Sequence, residues 1–231
     1  MDWVLGHLGD IGNLTAAHVG LCVPAIVIGF VASVPLGYLA SRSAVARGVV
    51  LTLGNVLYTI PGIALVVLVP VVLGLQILNP LNVTVALLVY AVAIMVRSAA
   101  DAFSSVSADV RQAATGQGYS AAQRFWRVEL PLAGPVLLAG VRVVSVSTIS
   151  LATVGALIGI PSLGSFFTDA FQRNFVLEAV VGIVLVLLLA AVFDLLLSLL
   201  GRALMPWTRG QRLSSGAAKA LSQPVPVATG R

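Results

Sequence analysis

The chain has 231 residues, of which 59% are hydrophobic and only 9% are charged, and its mean hydropathy is +1.06. A soluble domain carries roughly 25% charged residues, so this composition excludes a water-covered globule and predicts a protein surrounded by membrane lipid. The net charge of +5 is not concentrated in basic clusters interleaved with aromatic residues. This pattern argues against a nucleic-acid partner and favours basic loops on the cytoplasmic face of a membrane.

The apolar segments predict an all-α bundle. The 49 residues between Arg47 and Arg97 contain no Asp, Glu, Lys, Arg or His, and a span takes about 20 residues, so this stretch suits two spans. Polar and turn-forming residues at 76–82 divide it. We predict five transmembrane helices, at 19–39, 49–75, 83–96, 137–158 and 177–200. Pro61 and Pro70 are expected to kink the second helix, and a sixth span arises only if that helix is split or re-entrant.

Basic residues set the expected orientation, because cytoplasmic loops carry an excess of Lys and Arg. With the amino terminus outside and the carboxyl terminus in the cytoplasm, only Arg173 falls outside. The residues placed inside are Arg42, Arg47, Arg97, Arg111, Arg124, Arg127 and the basic residues of the tail. The expected organisation is an extracytoplasmic segment at 1–18, a transmembrane domain at 19–205 with a cytoplasmic loop at 98–134, and a disordered basic tail at 206–231.

The loop at 98–134 is the one long polar segment between the predicted spans, and it has the pattern of a helical hairpin. Its first helix is predicted at 109–117 and ends at Gly118, a residue suited to the left-handed conformation. Ser120 and Gln123 match a capping box that begins a second helix. That helix is expected to run to about Val128 and to stop before Pro131.

Two interpretations stay open for the aromatic pair of this hairpin, Phe125 and Trp126. Aromatic side chains often anchor protein interfaces, so the pair suits a docking partner on the cytoplasmic face. Trp is also common at the boundary between membrane and water, where it needs no partner.

The segment Gln112-Ala-Ala-Thr-Gly-Gln-Gly118, followed by Phe125 and by Glu129-Leu-Pro131, resembles the EAA loop of ABC importer permeases. The Ala pair, the Gly, the aromatic residue and the Leu-Pro stand at the spacing of that motif, whereas Gln112 replaces the usual Glu. The resemblance implies that this loop docks into a groove on an ATPase subunit and carries its motion to the membrane helices. The residues to which it assigns that role are Gln112, Ala113, Ala114, Gly118, Phe125, Leu130 and Pro131.

Other segments are similar to the osmoprotectant branch of these permeases, which imports glycine betaine, choline, carnitine and related quaternary amines. They are Thr15-Ala-Ala-His18, Tyr58-Thr-Ile-Pro61, residues 151–159 and Ser162-Leu-Gly164. The resemblance runs from about residue 13 to 202 and implies the type I ABC importer permease fold. Its implied partners are a dimer of ATPase subunits, a second permease subunit that is identical or related, and an extracytoplasmic substrate-binding protein. Another branch of the class, importing methionine or an alkyl sulfonate, stays open as an alternative.

The sequence lacks the residues that an ATPase, an intramembrane serine protease or a metalloprotease would need. Its only lysine, Lys219, lies in the tail, so the chain cannot form the Gly-Lys-Ser/Thr phosphate-binding loop of an ATPase. His7 and His18 precede the first predicted span, whereas an intramembrane Ser–His protease needs a histidine deep in the bundle. No clustered His and acidic residues suit a metal. We expect a transport subunit with no catalytic residue, metal or cofactor, and ATP hydrolysis by a separate partner.

Polar side chains inside the spans are the remaining candidates for function. Asp194 is expected to pair with Arg142 at the same depth, and the rival interpretation is a secondary carrier that uses Asp194. A non-transporting membrane scaffold is a third possibility.

Two tyrosines and three hydroxyl residues are candidates for the lining of a translocation pathway: Tyr58, Tyr90, Ser147, Ser150 and Thr153. Tyrosine rings attract a quaternary ammonium through cation–π contact. More often, a tyrosine within a span packs against its neighbours with a satisfied hydroxyl.

Overall fold

The computed structural model describes residues 2–207, and these form helices and turns without a strand. The helices are α1 (Asp2–Gly6), α2 (Leu8–Ala40), α3 (Ala44–Thr59), α4 (Gly62–Leu73), α5 (Pro80–Ser104), α6 (Ala108–Gly116), α7 (Ala121–Arg124), α8 (Leu130–Ala152), α9 (Ser165–Arg173) and α10 (Val176–Leu204). A π turn at Phe125–Glu129 joins α7 to α8, and a 3₁₀ turn at Thr153–Ile158 follows α8. Of the tail predicted at 206–231, residues 208–231 lie outside the described residues.

Four helical segments are long and apolar enough to cross a membrane: α2, α5, α10 and the continuous run Ala121–Ile158. A fifth crossing is made if α3 and α4, which are bent by 102° relative to each other, form one broken span. The five predicted spans therefore fall on helical segments, the second of them on the α3–α4 pair. Their ends differ: α2 begins at Leu8, so residues 8–18, expected to precede the first span, belong to its helix.

The second predicted span is a broken helix rather than a kinked one. Ile60 is extended (φ −66°, ψ 126°) and Pro61 caps α4, because a proline disfavours the helical conformation of the residue before it. Pro70, which was expected to add a kink, lies inside α4. The turn predicted at 76–82 is present, where the Asn79 Oδ1 accepts a hydrogen bond from the Leu81 amide at 3.0 Å and caps α5.

Helix α5 lies at the centre of the bundle. It packs against α2, α3, α4 and α8, while α10 packs against α8 and α9. Its side chains Met95 and Phe103 are fully buried. Most of α10 and of the α3–α4 pair presents apolar side chains outward, which suits lipid or another apolar partner.

The contact between α2 and α5 depends on a stripe of small residues on α2: Gly29, Ser33 and Gly37, spaced four apart. A Cβ placed on Gly37 would lie 2.4 Å from the Ala99 Cβ and 2.7 Å from the Ala100 backbone nitrogen. Small residues at this spacing let helix backbones approach closely in a membrane, where dispersion contacts drive the packing.

Gly37→Ala is expected to lower the free energy of unfolding by about 1–3 kcal/mol, because the α5 backbone itself must move to admit the methyl group. Gly20→Ala on the same helix is the matched control, since a Cβ there meets no heavy atom within 4 Å. Thermal unfolding of the two variants in the same detergent checks the difference. Equal midpoints would mean that α2 and α5 do not depend on this close approach.

Candidate functional site

The loop between α5 and α8 forms the predicted helical hairpin. Ser107 caps α6 by accepting from the Val110 amide at 3.3 Å. Gly118 has φ +83°, and the amides of Gly118 and Tyr119 donate to the Thr115 and Ala114 carbonyls at 3.0 and 3.1 Å. This pair of bonds is the Schellman motif that ends a helix on a left-handed residue. The helix end predicted at Gly118 is therefore confirmed.

The second helix begins with the predicted capping box. The Ser120 hydroxyl accepts from the Gln123 amide at 3.3 Å, and the Gln123 side chain accepts from the Ser120 amide at 2.9 Å. The expectation that this helix stops before Pro131 is wrong, because the helical run continues from Ala121 to Ile158. The π turn explains it: the Leu130 amide bonds the Phe125 carbonyl, five residues back, and the wider turn gives the proline ring room.

The residues assigned to ATPase coupling by the EAA resemblance divide into two sets. Gln112, Ala113 and Gly118 lie on the outer surface of the hairpin. The others face inward: Ala114 is buried, and Phe125, Leu130 and Pro131 are half-buried. Trp126 is 66% exposed, whereas the Phe125 ring packs 4.8 Å from that of Tyr38 and 5.7 Å from that of Phe103, measured between centroids. Phe125 therefore attaches the hairpin to α2 and α5, and Trp126, which stands edge-on to Phe125, is exposed on the surface of the hairpin.

A buried carboxylate at the foot of the hairpin was given no role from the sequence. Glu129 is 0% exposed. Its oxygens accept from Arg42 Nη2 at 2.8 and 2.7 Å and from Arg124 Nε at 2.8 Å. Arg124 also donates to the Thr115 hydroxyl at 2.9 Å. Glu129 thus joins the end of α2 to both helices of the hairpin through charge-assisted hydrogen bonds.

These contacts stabilise the positively charged form of Arg42. Burial lowers the pKa of Arg42, but its hydrogen bonds to Glu129 and Tyr38 raise it more, so the pKa of the guanidinium lies above its ordinary value. Arg42 lies two residues after the end of α2, and its guanidinium lies over the Tyr38 ring, 4.3 Å from the ring centroid. A second ion pair, Arg47 to Asp101 at 2.5 Å, ties α3 to α5 nearby, but both partners are exposed.

A cleft of about 570 Å³ opens where α3 and α4 break apart. Four of the five candidate pathway residues line it: Tyr58, Tyr90, Ser147 and Ser150. Thr153 lies outside this lining, and its hydroxyl donates to the Ser150 carbonyl at 2.7 Å.

The two tyrosines of the cleft have different environments. Tyr90 is buried and its hydroxyl donates to the Ile60 carbonyl, which the helix break leaves without a helical partner. Tyr58 is 55% exposed, and its ring stands edge-on to that of Tyr90, with centroids 6.0 Å apart. Tyr90 therefore stabilises the break, and Tyr58 is the ring free to meet a ligand.

The predicted pairing of Asp194 with Arg142 is confirmed. Arg142 Nε and Nη2 donate to the two oxygens of Asp194 at 2.6 and 2.7 Å, linking α8 to α10. This bidentate geometry fixes the orientation of both side chains.

The expectation that His18 precedes the first span is wrong. His18 lies fully buried within α2. The Leu163 amide donates to its Nδ1 at 3.3 Å, so the Nε2 proton is left to donate to the Ile149 carbonyl at 3.0 Å. Because both ring nitrogens are bonded to backbone groups, His18 has no serine to activate and instead holds the 160–163 turn against α2 and α8.

Comparison with known proteins agrees with this architecture. Residues 25–210 match the family described as the binding-protein-dependent transport system inner membrane component. The chain is 28% identical to the choline transport system permease protein OpuBB of Bacillus subtilis, over 86% of this chain and 90% of that protein. It is 31% identical to the osmoprotectant import permease protein OsmW of Salmonella typhimurium, over 89% of this chain and 97% of that protein.

Solved structures share the fold at lower identity. The inward-facing MetNI methionine ABC transporter superposes with a TM-score of 0.69 at 19% identity, covering 87% of this chain and 97% of that one. An amino acid ABC transporter with histidines superposes with a TM-score of 0.71 at 16% identity, covering 87% of this chain and 96% of that one. The chain therefore belongs to the family of binding-protein-dependent transport system inner membrane components, and it is a permease of a type I ABC importer, a transport component and not an enzyme.

Proposed function

We propose that this permease imports quaternary-amine osmoprotectants such as glycine betaine, choline or carnitine. The observation that carries the proposal is the likeness, along most of the chain, to permeases named for choline and osmoprotectant import. The cleft supports it, because a trimethylammonium group has no hydrogen-bond donor and is bound best by aromatic faces such as that of Tyr58. A methionine or alkyl sulfonate substrate has less support, since the methionine transporter resembles this chain in fold alone.

Family membership implies an ATPase partner and a substrate-binding protein. Two permease subunits, identical or related, enclose the pathway in the arrangement we propose. Closure of the ATPase dimer pushes on the hairpin through Gln112, Ala113 and Gly118, whose outward position suits docking. Phe125 then carries the movement to α2 and α5, against which its ring packs. Glu129 carries it to the end of α2 through Arg42, and to α8 along the chain.

The proposed orientation has the amino terminus outside and the carboxyl terminus in the cytoplasm. Arg42, Arg47 and Arg124 all lie around the foot of the hairpin, through their ion pairs with Glu129 and Asp101. Concentration of arginine at one end of the bundle favours that end as the cytoplasmic one.

Uptake of labelled glycine betaine tests the function directly. Vesicles hold the permease with its cognate ATPase and binding protein, and matched vesicles lack the ATPase or the binding protein. The proposal expects uptake that needs ATP and both partners, and that is competed by choline or carnitine. Uptake of methionine or a sulfonate in place of the amines would assign the permease to another branch, and uptake without the ATPase would contradict the mechanism.

Asp194→Asn separates the importer from a secondary carrier. The importer is expected to keep ATP-driven uptake within about threefold of wild type, because Asp194 serves to hold Arg142 and carries no proton. The reciprocal swap, Arg142→Asp with Asp194→Arg, should recover what the single change loses. A carrier would lose all uptake in both variants, and this result would move Asp194 to the centre of the mechanism.

A further inference from the structure

A second pocket, of about 340 Å³, lies at the end of α2 away from Glu129. It is lined by Asp10 near the start of α2, by Asp169 and Arg173 of α9, and by Glu178 in the first turn of α10. Since α2 has 33 residues and a helix rises 1.5 Å per residue, roughly 50 Å separates the two ends. In the proposed orientation, the pocket faces the outside of the cell.

Glu178 is the unusual residue of this pocket. Its side chain is buried, with 3% of the residue exposed, and its Oε2 has no hydrogen-bond partner within the described residues. A buried carboxylate oxygen left without a donor costs free energy that a positively charged donor would recover. Three carboxylates against the one guanidinium of Arg173 leave the pocket net negative.

The rings of Trp3, His7 and Phe166 line the pocket beside the carboxylates. Trp3 stacks on His7 at 4.4 Å between centroids and lies 5.8 Å from Phe175 and 6.4 Å from Phe166. These contacts hold α1 against the start of α10. Carboxylates beside an indole ring form a site that attracts an organic cation both by charge and by cation–π contact.

We propose that this pocket receives a lysine or arginine side chain of the extracytoplasmic substrate-binding protein, with Glu178 as its main partner. The donor requirement of the Glu178 Oε2 favours an ammonium or guanidinium group over the trimethylammonium of an osmoprotectant, which has no N–H. A metal ion is disfavoured because residues 2–207 contain no group of three His, Cys, Asp or Glu side chains placed to hold one. The inference rests on the proposed orientation of the chain.

The affinity of the binding protein for the complete transporter in nanodiscs tests this docking, at low and at moderate salt. Glu178→Gln, which keeps the shape of the side chain, is expected to weaken binding at least tenfold and to reduce its salt dependence. Asp169→Asn should act in the same direction with a smaller effect. Asp101→Asn, an acidic residue at the other end of the bundle, is the control and should stay within twofold of wild type.

Substitution of each exposed lysine and arginine of the binding protein by methionine completes the test. One of these changes is expected to weaken binding to the wild-type permease. The same change should not weaken binding to the Glu178→Gln permease any further, and this non-additivity is the signature of a direct pair. Affinities within twofold of wild type for both Glu178→Gln and Asp169→Asn would overturn the proposal. The proposal would also be overturned if the pocket binds only a free cation. In that case methylguanidinium would raise the thermal unfolding midpoint of wild type but not of Glu178→Gln, while the binding protein would dock equally well to both. The binding measurement needs no substrate. Failure of glycine betaine uptake would therefore contradict the proposed substrate class and would leave the proposed docking pocket standing.

Discussion

Glu129→Ala is expected to abolish coupled transport. The change leaves Arg42 and Arg124 facing each other with no carboxylate between them. Removing one partner from a buried ion pair costs about 3–5 kcal/mol. The lower end applies here, because the Arg42 and Arg124 side chains are 32% and 21% exposed. Uptake per inserted permease should fall more than tenfold.

The isosteric change Glu129→Gln separates coupling from folding. Glutamine keeps the size of the side chain and one acceptor oxygen but cannot pair with two guanidinium groups. We expect the permease to insert and to bind its ATPase, while ATP hydrolysis continues with little uptake, because the hairpin is no longer tied to α2. Hydrolysis and uptake measured on the same vesicles check this separation.

Asp101→Asn is the matched control for Glu129. Asp101 also pairs with an arginine, Arg47, at 2.5 Å, but the two side chains are 50% and 36% exposed. An exposed pair of this kind contributes about 0–1 kcal/mol. Uptake close to wild type in Asp101→Asn and loss in Glu129→Gln would assign the effect to burial and position. Equal effects in the two variants would show that Glu129 is merely one surface charge among others.

The parts of the site that sequence reasoning predicted are those built from local signals. Gly118 ends a helix, and Ser120 with Gln123 begins one, through contacts that span a few residues. Such motifs carry their structure in the sequence itself. The Arg142–Asp194 pair was predictable for another reason, since two opposite charges at one depth in a membrane have few other partners.

The rest depends on neighbours distant in the chain. Pro61 breaks a helix and Pro131 does not, because Tyr90 satisfies the carbonyl freed at Ile60 while a π turn accommodates Pro131. Glu129 acquires its role from Arg42, which lies 87 residues away. His18 likewise has both of its partners, Ile149 and Leu163, beyond the reach of any local pattern.

Substitution of Gly118 is expected to uncouple the hairpin without disturbing the packing. Gly118 has φ +83°, and a Cβ there meets no heavy atom within 4 Å, so the cost is conformational and not steric. A left-handed backbone costs an alanine roughly 1–2 kcal/mol. Gly118→Ala should therefore lower the ratio of hairpins in the docking conformation to those in other conformations by about 5–30-fold. Gly118→Asp carries less of this conformational cost, because aspartate tolerates the left-handed backbone. A loss of uptake in Gly118→Asp would therefore come mainly from the charge placed on the surface proposed to meet the ATPase.

Gly116→Ala, two residues earlier, is the matched control. Gly116 ends α6, is not among the left-handed glycines of the described chain, and likewise has open space at its Cβ. Alanine is favoured over glycine there by about 1 kcal/mol, so transport should be unchanged. Gly118→Asn should retain more uptake than Gly118→Ala, because asparagine tolerates the left-handed conformation. If Gly116→Ala and Gly118→Ala transport equally well, the turn does not set the docking shape of the hairpin, and the outer face of α6 must carry the coupling alone.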